Sequence, residues 1–192
     1  SSGVPRMPWL TRSRFLLAPL ALIATMLLAA PSVRAEDAAE LSRDARVALD
    51  RLTADNPAAR ELAKTARGIL VFPDALKAGF LFGGEYGAGV LFKGEEAHGY
   101  YRTVAASYGL QIGAQSFGYA LFFMDDKALD YLERSEGWEI GVGPSVVLLD
   151  KGAAQTFSTT TAKDDIYALT FDQQGLMAGI GIEGSKITRF EP

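Results

Sequence analysis

GILVFPDALKAGFLFGGEYGAGVLF, residues 68–92, is the stretch whose reading decides the fold. GILVFP (Gly68–Pro73) is a short apolar run and predicts a strand closed by a turn at Pro73-Asp74. Gly79–Phe92 predicts a strand, a glycine-rich bend and a second strand. Glycine inside a strand ordinarily weakens it, so repeated glycines need a physical reason. Without a Cβ the backbone bends sharply or lets another backbone come close. A strongly coiled sheet or a small closed barrel uses glycine in this way.

Downstream the texture is the same. Of the 20 glycines, all but Gly3 lie from Gly68 onward. His98–Phe123 predicts two strands or one long bent strand, and Asp125 or Asp126 caps a helix that buries Ala128, Leu129 and Leu132. Glu139–Leu149 predicts another strand, followed by a polar segment, Asp150–Asp165. Ile166–Phe171, Leu176–Ile182 and Ile187–Phe190 complete the sheet, with turns at Gln173-Gln174-Gly175 and Glu183-Gly184-Ser185.

Upstream the chain reads as helix. Glu36–Arg67 has no glycine, and Leu41, Ala45, Ala48, Leu49 and Leu52 form one helical stripe. Thr53–Asn56 breaks it. Asn56 then caps a second helix with Pro57 at its first position, carrying Leu62 and Ala66 inward. The expected class is α+β: N-terminal helices packed on a strongly curved, glycine-rich, mainly antiparallel sheet or small barrel.

The first 35 residues carry a different message. Arg12 and Arg14 precede the apolar run Phe15–Ala30, and Val33-Arg34-Ala35 supplies the small residues a signal peptidase reads. Residues 1–6 read as a vector or fusion remnant, 7–35 as a secretory signal peptide, and 36–192 as one domain. Within it, 36–67 is helical and 68–192 is mainly β, with a helix near 126–133. The run is short of the roughly 20 residues that span a bilayer. The expected location is periplasmic or secreted, with peripheral association to an outer membrane.

Charge and composition exclude several functions. The chain carries 19 Lys and Arg against 23 Asp and Glu. Removing Arg6, Arg12, Arg14 and Arg34 with the leader leaves 15 − 23 = −8, which argues against general nucleic-acid binding. There is no cysteine, so neither a disulfide nor a cysteine-linked lipid anchor holds the protein. With one histidine and no cysteine, thiol nucleophiles and multi-histidine metal sites are excluded. No G-x-S-x-G elbow accompanies His98, which reads as a turn or strand-edge residue. Gly179–Gly184 spells G-x-G-x-x-G, but only eight residues follow, and the match reads as a strand and turn. The paired acids Glu95-Glu96, Asp125-Asp126 and Asp164-Asp165 fall in turns and caps. No enzyme, metal or cofactor is expected.

Four ordered blocks carry a family resemblance: AKTARGILVFPDALKAGFLFGGEYGAGVLF, SYGLQIGAQSFGYALFF, IGVGPSV and GLMAGIGIEGSKI. The sequence resembles the SYLF domain, an actin- and lipid-associated family also found in bacteria, and the resemblance covers about Ala58 to Arg189. The resemblance implies a lipid-binding module. Eukaryotic relatives reach lipid through a basic amphipathic N-terminal helix. Here Glu36–Leu52 sets Glu36, Asp37, Glu40, Asp44 and Asp50 against Arg43, Arg46 and Arg51. The expected partner is therefore a phospholipid or other envelope lipid at a membrane surface, with the protein partner unknown. Phe72, Phe80, Phe82, Tyr86 and Phe92 surround Lys77 and Lys93, with Lys64 and Arg67 just upstream. Lys64, Arg67 and Lys77 are the candidates for headgroup contact, and Phe80 and Phe82 for acyl contact. The alternatives are a small outer-membrane β-barrel and an envelope interaction scaffold built on Glu36–Leu52. Burial of Leu41, Leu49 and Leu52 on the sheet would exclude that scaffold.

Overall fold

A computed structural model describes residues 35–80, 82–108, 113–149, 157, 163–175 and 181–192. The signal-peptide reading, the expected Leu176–Ile182 strand over 176–180, and most of the polar segment lie outside the described residues. Helices α1 (Ala35–Asp55) and α2 (Pro57–Thr65) come first, then strands β1 (Gly68–Phe80), β2 (Phe82–Lys93), β3 (Glu96–Tyr108) and β4 (Gly113–Phe123). Helix α3 (Asp126–Arg134) follows, then β5 (Trp138–Glu139), β6 (Val146–Leu148), β7 (Ile166–Gly175) and β8 (Lys186–Phe190). The eight strands form one sheet in the order β5-β8-β3-β2-β1-β4-β7-β6. Among the described residues, only the β6–β7 pair is parallel. The sheet curves strongly into a half-barrel, and the class is α+β as expected.

The helix caps follow the sequence. Asn56 Oδ1 accepts from the backbone N–H of Ala58 and Ala59, with Pro57 inside the first turn. Asp125, not Asp126, caps α3, accepting from Ala128 N–H at 2.7 Å. Each cap satisfies donors that the first helical turn leaves orphaned.

Pro73-Asp74 does not close a strand. The register of β1 shifts there against both neighbours, after Val71 on the β2 side and after Phe72 on the β4 side. Proline lacks the N–H a ladder needs, so it sits where the ladder is interrupted. Strand β1 continues to Phe80, which pairs with Phe82, and Gly83 and Gly84 belong to β2 rather than to a bend. Two other expectations also change. Gln174 and Gly175 pair with β4 as the end of β7, and Gln173 sits in the register shift just before them. The expected Glu139–Leu149 strand is split into β5 and β6 by a turn in which Gly141 and Gly143 have φ of 105° and 88°.

Two cores flank the sheet. The inner face gathers Leu70, Phe72, Leu91, Tyr101, Tyr119, Leu121 and Phe123 against Leu129 and Leu132 of α3. The outer face packs Val71, Val90, Ala120 and Phe122 beneath Ala45, Leu49 and Leu52 of α1 and Leu62 of α2. Leu49 and Leu52 are buried, and Leu41 packs against the same core. Ser42 meets Tyr100 at 3.0 Å, and Arg46 lies 4.1 Å from the Phe92 ring. The acidic helix thus spends its apolar stripe on the sheet, which removes that stripe as a surface for the expected scaffold. Glycine is required where strands and rings close on each other. A Cβ on Gly89 would stand 2.6 Å from both the Val71 carbonyl oxygen and the Phe72 ring.

Candidate lipid-facing end of the sheet

The bulge divides the sheet's outer face into two unlike halves. Alternate residues of a strand face opposite sides, and one extra residue reverses the alternation. Before the bulge, Leu70 and Phe72 face inward; after it, Ala75 and Lys77 do, so that Leu76 faces outward. The helices cover the outer face only as far as the bulge.

Beyond it, an apolar row crosses three strands. Leu76 pairs with Tyr86, and Tyr86 with Val104. They are 53%, 55% and 52% exposed. Lys186 of β8, also exposed, pairs with Val104 and extends the row with a cation. The next row toward the β1–β2 turn, Ala114, Ala78, Gly84 and Ala106, is exposed and nearly without side chains. The result is an exposed apolar face with a lysine at its margin.

Directly behind this face lies a polar cluster. Glu85 on β2 is opposite Lys77 on β1, which is opposite Gln115 on β4. Glu85, Thr103, Gln115 and Ser185 are all buried. Both Glu85 carboxylate oxygens, Thr103 Oγ1, Gln115 Oε1, Ser185 Oγ and the Tyr119 hydroxyl lack a hydrogen-bond partner. Burial pushes the Glu85 carboxyl above its ordinary value, while the Lys77 charge opposes the shift. The Ser185 and Thr103 hydroxyls approach and oppose it too, without closing a hydrogen bond of ordinary geometry. Burial also holds the Tyr119 phenol well above its usual range.

The sequence candidates do not form one patch. Lys64 pairs with Glu61, and Arg67 reaches Asp126 at 3.7 Å, both beside the start of β1. Lys77 is ten residues beyond Arg67, about 30 Å along an extended strand. Phe80 and Phe82 flank the turn near Lys77, but their side chains lie outside the described residues. The sequence reading missed Leu76 and Val104, whose exposure depends on the bulge, and passed over the polar cluster.

The remaining polar groups serve the fold. His98 Nε2 sits 3.2 Å from Glu133 Oε1, which Lys93 also meets at 2.8 Å, tying the β2–β3 hairpin to α3. Among the described residues, no three His, Asp or Glu side chains gather as metal ligands.

The site is thus an exposed apolar row on a curved sheet with a lysine at its margin. Residues 104–191 match the family model Ysc84, described as Las17-binding protein actin regulator. This is a SYLF-domain match over residues 104–191, and it covers the later three of the four blocks that suggested the resemblance. The family is lipid- and actin-associated in general. No curated protein matches the chain.

Proposed function

We infer that this protein is a non-enzymatic lipid-binding protein of a bacterial cell envelope, exported through its N-terminal signal sequence. It docks by the uncovered end of its sheet. The observation that carries this reading is the Leu76–Tyr86–Val104 row, exposed side by side on three adjacent strands. Contiguous exposed apolar side chains rimmed by polar ones mark interaction surfaces. Tyr86 suits the headgroup boundary, since its ring is apolar and its hydroxyl polar. Lys186 stands at the margin of the row to meet phosphate. The membrane-barrel alternative is less well supported, because α1 and α2 cover the outer face of the longest strands.

Flotation with phospholipid vesicles tests the reading. The protein should rise with the vesicles and stay bound at about 0.5 M salt, where surface charge is largely screened and apolar contact is not. Failure to float at every ionic strength would turn the row into a surface for a protein partner.

A further inference from the structure

Resting on the lipid reading for its source, we propose that the inner-face cluster around Glu85 and Lys77 recognises a zwitterionic ligand. That ligand pairs a protonated amine with a phosphate, the chemistry of an ethanolamine phospholipid headgroup or of free phosphoethanolamine.

Six orphaned oxygens converge from four parts of the sheet: two on Glu85 and one each on Thr103, Gln115, Tyr119 and Ser185. Buried polar groups in native proteins are satisfied; the three hydroxyls can donate as well as accept, so the need for outside donors falls on the Glu85 and Gln115 oxygens. The Glu85 carboxylate and the Gln115 amide oxygen only accept, whereas a primary ammonium offers three donors. Lys77, opposite Glu85 and beside Gln115, forms no ion pair among the described residues. It is half-buried where the other members are sealed, and so marks the way in. Its charge matches a phosphate oxygen.

Side-by-side opposite charges also select against simpler ligands. A lone phosphate meets the Glu85 carboxylate, and a lone amine meets the Lys77 ammonium. A ligand carrying both charges a few ångströms apart satisfies the pair. A quaternary choline has the same charges but no N–H to give the oxygens. Lys77 lies three residues from the end of β1, about 10 Å along the strand, so a headgroup would reach the inner face around the end of the sheet rather than through the apolar row.

The test compares vesicles of phosphatidylcholine alone with vesicles containing phosphatidylethanolamine or phosphatidylglycerol. Soluble phosphoethanolamine is a fourth arm, read by thermal shift. The protein should bind ethanolamine vesicles at least about fivefold more tightly than the other two. Glu85→Gln should abolish that preference while the protein still binds vesicles and melts no lower; Lys77→Gln, at a half-exposed site, should weaken it as well. Thermal protection by soluble phosphoethanolamine without vesicle preference supports the same site with the free compound as its source. Equal binding to all vesicles with no thermal protection overturns the proposal and leaves the lipid reading standing, as does a Glu85→Gln variant that keeps the preference. Binding to no vesicle overturns the lipid reading itself, and the soluble arm then decides this site alone.

Discussion

Phe72 and Leu76, four residues apart on one strand, face opposite sides of the sheet. In an unbroken strand they would share a face, and the extra residue at Pro73-Asp74 separates them. Phe72 is fully buried against Tyr119 with ring centroids 4.6 Å apart, whereas Leu76 is more than half exposed. The same reversal turns Lys77 inward beside Glu85. One irregularity thus creates both the apolar row and the polar cluster behind it.

If contact is made at this end, the cations at the other end are dispensable. The double variant Lys64→Glu, Arg67→Glu should float with vesicles within about twofold of the unaltered protein. Both side chains are exposed and paired only at the surface, where ion pairs contribute about 0–1 kcal/mol, so folding should survive. A loss of flotation would return the binding site to the start of β1.

The tight coil of the sheet depends on Gly89. Its replacement by alanine drives a methyl group against the Val71 carbonyl oxygen and the Phe72 ring, neither free to withdraw. Gly89→Ala should cost about 3 kcal/mol, the upper part of the usual range for overpacking. Gly181→Ala has nothing within 4 Å of the new methyl and should stay within about 0.5 kcal/mol. Urea midpoints of the two variants make the comparison.

Asn56 is the hinge between α1 and α2, and its carboxamide oxygen holds two backbone donors. Asn56→Ala should lower stability by about 1 kcal/mol, measured by the same denaturation, with vesicle binding unchanged.

The raised Glu85 carboxyl fixes the sign of a pH effect. An acid whose pKa is higher when folded binds its proton more tightly in the native state. Its contribution therefore favours folding at low pH and declines as pH rises from the ordinary 4.5 through the raised value. Glu85→Gln removes that decline, so the variant should gain stability relative to the unaltered protein as pH increases across this window. Urea titrations from pH 4 to 8 would show it; a difference that shrinks with rising pH contradicts the assignment.

Much of the fold was legible in local chemistry. The Asn56-Pro57 and Asp125 caps use short-range hydrogen bonds that sequence records directly. The Leu41–Leu52 stripe gave the buried face of α1. Pro73-Asp74 misled because a bulge and a turn draw on the same residues; only strand pairing distinguishes them. Gln173–Gly175 misled for a similar reason, being turn-like in composition while Gln174 and Gly175 are held by β4. The site was less legible. Lys77 was grouped with Tyr86, which the bulge leaves on the opposite face, and Lys64 and Arg67 were close to it only along the chain. Glu85 gives no local sign of burial, since its environment is built by β3, β4 and the residue before β8.

The most direct measurement is vesicle flotation of the triple variant Leu76→Ser, Tyr86→Ser, Val104→Ser. All three side chains are more than half exposed, so the fold and its melting should change little. The predicted result is a loss of binding of tenfold or more in a protein that remains folded. Undiminished flotation would contradict the account, because the apolar row would then have no part in meeting lipid.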